Sequence, residues 1–288
     1  MALKIFCPVW GPKHQKLLND ALLRSLSWER NRPYVETAEW LITTDSAGEL
    51  ARATTNIQEH FPMSSIRHFI HPELADPNID RGMVIIKSVQ KVVDICLKES
   101  TPMLMATPDF IYGNGTIETF AKIADEPGSC ATIANIRVLP SILPVKHEDL
   151  VEEAFMHLHP SWAQSPLNLY RSGVKIAPIG VSTWAVRHFM PSPFYVNFIE
   201  EDKNYFKEWH EGKPPGFGLW DHVWPTHLLE DGRLRFIGSS DAAVMCEVTD
   251  EDSNVPPLNA AGDPPNKFFR DHFHNKIQSQ FVTIFRGS

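Results

Sequence analysis

Cysteine is scarce in this 288-residue chain, and the four present, Cys7, Cys96, Cys130 and Cys246, stand far apart among apolar neighbours. No C-x-x-C pair exists, which excludes a zinc ribbon or dithiol centre and predicts buried free thiols. Positive charge is also short: 27 Lys and Arg face 35 Asp and Glu, for a formal net charge of -8. That balance gives no strong signal for a sequence-independent grip on nucleic acid, though a local basic groove stays open. No run of about 18 apolar residues is found, so no membrane span is expected. The opening MALKIFCPVW enters a strand with no basic stretch ahead of a long apolar one, which reads as no secretory signal and implies a cytoplasmic location. No G-x-G-x-x-G follows the first strand, which argues against a dinucleotide-binding dehydrogenase or a Rossmann methyltransferase. His222 and His227 are five apart rather than four, which excludes a helical zinc pair.

With 43% hydrophobic and 22% charged residues, what remains is an ordinary globular composition. The most informative stretch is MLMATPDFIYGNGTIETF, residues 103–120. Met103 to Ala106 form the short apolar run of a buried parallel strand, which Gly113, Asn114 and Gly115 interrupt. Thr116 is expected to cap a following helix, with Glu118 in its positive first turn and Ile117, Phe120, Ala121 and Ala124 on one face. Asp109 thus sits just beyond the C-terminal end of a central strand, where open α/β sheets bind ligands.

Before this stretch the chain alternates strands and helices. Residues 4–9 predict a first strand, Trp10-Gly11-Pro12 its turn, and Leu17, Leu18, Ala21, Leu22, Ser25 and Leu26 an amphipathic helix. EWLITT, residues 39–44, predicts a second strand; Asp45 at its end reads either as a helix N-cap or as a ligand contact. IRHFI, residues 66–70, predicts a third strand, and residues 82–98 a long apolar helix. SCATIANIRV, residues 129–138, predicts one further strand, completing an alternation that implies a mostly parallel sheet with right-handed crossovers.

The 103–120 stretch resembles the metal-binding strand of GT-A-fold glycosyltransferases, including the glycogenin-like ones. There an apolar run leads into Asp-x-Asp, an apolar triplet, a turn and a helix. Thr107, Pro108 and Asp109 occupy the Asp-x-Asp positions, with only the second aspartate kept. The resemblance implies an α/β, GT-A-like (Rossmann-like) fold, a mostly parallel central sheet flanked by helices with an elaborated C-terminal half. It implies one domain over 1–288, residues 1–138 forming the nucleotide-sugar-binding half and 139–288 the acceptor-side half and tail. It further implies transfer of a sugar from a nucleotide-sugar donor to an unknown acceptor. A divalent ion, Mn2+ or Mg2+, would lie on Asp109, with Pro8, Trp10, Gly11, Asp45, Arg81 and Thr107 around the donor. Trp10 reads equally as a core aromatic, and Arg81 either faces a diphosphate at its helix N-terminus or pairs with Asp80 in solvent.

The second half is less regular. Glu148 to Leu158 predicts a helix, with His157 and His159 at its end. Trp220, Asp221, His222, Trp224 and His227 are the densest cluster of aromatic and titratable residues. Asp221 and His222 are candidate general bases for an acceptor hydroxyl, and the tryptophans serve either a sugar face or the core. Asp241, after Gly238-Ser239-Ser240, is a third candidate or else a helix cap. The proline-rich run at 250–266 reads as a lid or a surface excursion, and the tail as a segment that packs back or supports a homo-oligomer. Two rival functions stay open: a sugar nucleotidyltransferase, whose glycine-rich basic loop PVWGPKHQK matches poorly, and a non-catalytic nucleotide- or sugar-binding module.

Overall fold

The computed structural model describes residues 3–144, 146, 150–160, 175–180, 182–187, 193–209, 220, 224–251 and 282–287. Among the described residues thirteen strands are formed: β1 (Lys4–Pro8), β2 (Glu39–Thr44), β3 (Ser65–Ile70), β4 (Met103–Met105), β5 (Phe110–Tyr112), β6 (Cys130–Ile133) and β7 (Ile136–Val138), then β8 (Lys175–Gly180), β9 (Thr183–Arg187), β10 (Tyr195–Val196), β11 (Leu234–Ile237), β12 (Met245–Val248) and β13 (Val282–Arg286).

The central sheet has the order β11-β6-β10-β4-β1-β2-β3. β1 pairs in parallel with β2 and β4, β2 with β3, and β6 with β11. β10 runs antiparallel between β4 and β6. The sheet is therefore mostly parallel and flanked by helices, as the alternating pattern requires. Every residue of β1 is buried, which explains why KIFCP carries apolar side chains on both faces. One face packs Leu22, Trp40, Ile57 and Phe120; the other packs Val89, Met103, Trp220 and Trp224.

Local chemistry sets the helix ends. The Arg81–Glu99 helix is capped by Asp80, whose carboxylate accepts from the Met83 N–H at 3.3 Å, and it closes on Ser100 at φ 50°. In the Ala47–His60 helix the cap is Ser46, accepting from Glu49 N–H at 3.2 Å, so Asp45 is not the cap. Thr116 is not a cap either. The cap position of the Thr116–Ile123 helix is Gly115 at φ +88°, and the Thr116 hydroxyl instead donates to the Val244 carbonyl at 2.9 Å. The orphan N–H groups of that helix turn to the buried Asn31, whose Oδ1 accepts from Gly115 N at 3.0 Å and Ile117 N at 3.1 Å. A Cβ at Gly115 would come within 2.7 Å of the Arg30 guanidinium, so glycine serves both the left-handed φ and the close approach.

Residues 129–138 form two strands rather than one. Ala134 and Asn135 separate β6 in the central sheet from β7, which joins β5 and β12 in a smaller sheet of order β5-β12-β7. This break positions the candidate site, because it carries the chain from the central sheet to the strands beside Asp109. A third sheet has the order β13-β9-β8. The predicted 148–158 helix is formed over Leu150–Met156.

Candidate functional site

β4 ends at Met105, and Thr107-Pro108-Asp109 carries the chain into β5. Asp109 is fixed by its backbone: its carbonyl accepts from Val248 N–H of β12 at 2.8 Å. The antiparallel β5–β12 register sets Glu247 opposite Phe110, the residue after Asp109. On its other side β12 runs parallel to β7, with Glu247 opposite Arg137. Two carboxylates and a guanidinium from three distant segments thus meet beyond the end of the central strand.

Glu247 Oε2 accepts from Asn135 Nδ2 at 2.9 Å and from Arg137 Nε at 3.3 Å. Burial pushes the Glu247 carboxyl above the usual carboxylate range; Arg137 opposes this, and Asp109 adds to it through like charge. Burial likewise raises Asp109, against the pull of Thr107, its own backbone N–H, Arg137 and Lys13. The two acids respond to one another and titrate as a pair. Asp109 and Glu247 both keep partial solvent exposure.

Basic groups act on the pair. Lys13 pairs with Asp250, whose carbonyl meets His159 Nε2 at 2.9 Å. The Lys13 charge acts on Asp109 and also on His14, which stands edge-on to Trp10 with ring centroids 4.3 Å apart. Arg81 does not pair with Asp80. It lies 5.9 Å from the Trp10 ring centroid and donates from Nε to the Leu74 carbonyl at 3.2 Å. Gly11, at φ +68°, has open space where a Cβ would stand, and Pro8 is buried in β1.

A second feature runs along the C-terminal end of β2. Oxygens of Gln15, Thr43, Thr44, Asp45 and Glu49 are buried and have no hydrogen-bond partner among the described residues. Gln15 donates to the Glu49 carbonyl at 2.8 Å, which ties the Gly11–Leu17 helix to the Ala47–His60 helix and aligns these groups. Buried polar oxygens without partners are costly, and a ligand that reaches them gains hydrogen bonds.

The second-half candidates divide differently. Trp220 and Trp224 are core residues: both are buried, they pack 4.8 Å apart, and each stacks or tilts against Phe206. Trp220 Nε1 donates to the Pro193 carbonyl at 3.2 Å and Trp224 Nε1 to Asp202 at 3.1 Å. Asp221, His222 and the 252–266 part of the proline-rich run lie outside the described residues. Asp241 is exposed and pairs with Arg286 and Ser239, with no described contact to the Asp109 group. Sequence reasoning missed Glu247, Arg137, Asn135, Lys13, Gln15 and Glu49. The available signal was a charged residue inside each of the short apolar strands MCEV and IRV.

Among the described residues no three or more His, Cys, Asp or Glu groups converge to hold a metal. The oxygens of Asp109 and Thr107 nevertheless fit a hard divalent ion as the protein's share of a shell completed by phosphate and water, since burial works against the Asp109 charge and a cation would offset it. Glu247 Oε2 is engaged by Arg137 and Asn135.

No known protein family matches the chain, and no curated protein does. Solved structures similar to it include S. aureus TarS 1-349 in complex with UDP-GlcNAc, at 14% identity and a TM-score of 0.47, over 94% of this chain and 64% of that one. GalNAc-T7 with UDP, GalNAc and Mn2+ matches at 9% identity and a TM-score of 0.45, over 88% and 44%. A putative glucose-1-phosphate thymidylyltransferase from Bacillus anthracis matches at 10% identity and 0.40, over 82% and 86%. The chain spans 64% or less of the TarS chains it matches. No helix among the described residues is long and apolar enough to cross a membrane.

Proposed function

We propose that the chain transfers a glycosyl group from a nucleotide-sugar donor to an acceptor hydroxyl at Asp109. The observation that carries this reading is the convergence of Asp109, Glu247 and Arg137 past the end of β4, beside the unpartnered acceptors of Asp45, Glu49 and Gln15. Those acceptors suit a nucleoside, whose ribose hydroxyls and base N–H groups are donors. Trp10, held between His14 and Arg81, offers an aromatic edge to the same region.

Glycosyl transfer breaks the bond between the anomeric carbon and the diphosphate, so negative charge grows on the leaving oxygen. Arg137, Lys13 and Arg81 are the fixed positive groups that stabilise it. Arg81 keeps its terminal N–H groups for an anion, since only Nε is engaged by Leu74. A divalent ion on Asp109 and Thr107, when bound, neutralises the same charge. Glu247 is the acceptor base in this reading: Asn135 and Arg137 hold Oε2, which leaves Oε1 to take the proton, and its raised pKa makes it a better base than a solvated carboxylate. Asp221 and His222 remain second candidates for that step, and the cytoplasmic setting and a single domain belong to the same proposal.

The test is turnover of a panel of radiolabelled nucleotide sugars, UDP-GlcNAc among them, with and without Mn2+, scored as nucleoside diphosphate release. Release by the wild type that falls at least a hundredfold in Glu247→Gln is expected. Release of pyrophosphate from a sugar phosphate and a nucleoside triphosphate would favour the nucleotidyltransferase reading instead. Binding without any turnover would leave a nucleotide- or sugar-binding module.

A further inference from the structure

At the N-terminal end of the central sheet, away from Asp109, a cavity of about 530 Å³ opens between Leu3, Pro33, Tyr34 and Tyr195. Its volume falls in the range of about 300–1,000 Å³ typical of small-ligand sites. Leu3 precedes β1, whose neighbour β4 ends on the opposite side beside Asp109, so the cavity and Asp109 lie at opposite ends of parallel strands.

Tyr195 is the informative group. It is 1% exposed, yet its hydroxyl takes no hydrogen bond among the described residues. Burial raises the Tyr195 phenol's pKa and the neighbouring Tyr34 raises it further, so Tyr195 stays a neutral hydroxyl at any physiological pH. With no described protein partner, the hydroxyl opens on the cavity, where a ligand hydroxyl can bond it.

The rim carries charges of both signs. Arg30 spends its charge on Glu118, with contacts at 2.9 and 2.7 Å, and Glu118 also takes Lys122. Glu29, by contrast, is exposed and has no described partner, so its carboxylate stands at the rim as a free acceptor. The remaining groups are two phenol hydroxyls, one carboxylate acceptor, and the apolar surfaces of Leu3, Pro33 and the tyrosine rings.

We propose that this cavity is a second binding site, separate from the Asp109 site, which takes a neutral saccharide. Ring C–H groups lie on the Tyr34, Leu3 and Pro33 surfaces, sugar hydroxyls meet the phenols, and Glu29 accepts from a further hydroxyl. The proposal stands apart from the glycosyl-transfer reading, because nothing in it uses the Asp109 site.

The experiment is saturation-transfer difference NMR on the full chain with maltose, lactose and N-acetylglucosamine as probes, repeated in Tyr195→Phe and Glu29→Gln and in the presence of saturating UDP. Transfer to at least one saccharide is expected, with Kd raised about fivefold to tenfold in Tyr195→Phe, the loss of one hydrogen bond, and no displacement by UDP. Glu29→Gln lies on the exposed rim and keeps the test valid where Tyr195→Phe fails to fold; it weakens binding in the same direction. No transfer to any of the three saccharides overturns the proposal, as does unchanged affinity in both variants or displacement by UDP.

Discussion

Val248 donates its backbone N–H to the carbonyl of Asp109 at 2.8 Å. That one bond fixes the strand carrying Glu247 to the residue just past the central strand, and it makes the carboxylate pair a consequence of strand register rather than of side-chain reach. The separation of Asp109 and Glu247 is therefore set by two backbones, and each acid is held where burial works against its charge.

Asp109→Asn is expected to raise stability at neutral pH. Burial lifts the folded-state pKa of Asp109 above its unfolded value, so the folded chain binds the proton more tightly. The contribution of such a group to stability is fully present below the unfolded pKa and is lost as pH rises through the folded one. Thermal unfolding of the variant against the wild type should show a higher Tm at pH 7 and a gap that narrows towards pH 4. A gap that widens on acidification would contradict the raised pKa.

Arg233 and Asp202 form a buried pair of the opposite kind. Asp202 is 2% exposed and accepts from Arg233 at 3.0 and 2.6 Å, from Trp224 Nε1 at 3.1 Å and from Ile199 N–H at 2.9 Å. Arg233→Leu leaves that carboxylate uncompensated, and a cost of about 3–5 kcal/mol is expected. In a chain of this size the midpoint falls by roughly 2–4 °C per kcal/mol, so differential scanning calorimetry resolves the loss readily.

All four cysteines are buried and free, as expected from their apolar neighbours. Burial pushes the Cys96 and Cys246 thiols up to about 12, and Cys7 and Cys130 move in the same direction for the same reason. A thiol reagent at neutral pH should therefore modify essentially none of them in the native protein and all of them in denaturant. Rapid modification of one cysteine without denaturant would show that its burial is transient.

The central strands were legible because each spends its residues on one job. KIFCP and EWLITT are buried along almost their whole length, so an apolar run with a turn behind it suffices to place β1 and β2. β10 was not legible: two residues, Tyr195 and Val196, insert antiparallel between β4 and β6, and no local pattern announces a two-residue strand. The break at Ala134-Asn135 was hidden for a related reason, since both flanking strands are apolar and only their partners differ. For the site, Asp109 was visible from its place after an apolar run. Glu247 and Arg137 were not, because what makes them neighbours is register between β5, β12 and β7. The tryptophan cluster shows the converse, a dense run of chemistry-bearing residues of which Trp220 and Trp224 serve packing.

The most direct test of the site is isothermal titration of a nucleoside diphosphate series and the matching nucleotide sugars into the wild type and Asp109→Asn, each with and without Mn2+. The account predicts that the wild type binds at least one nucleotide sugar and that Asp109→Asn, still folded, binds it at least tenfold more weakly, a loss of about 1.4 kcal/mol. A wild type that binds none of them, or a folded Asp109→Asn that binds equally well, would contradict it.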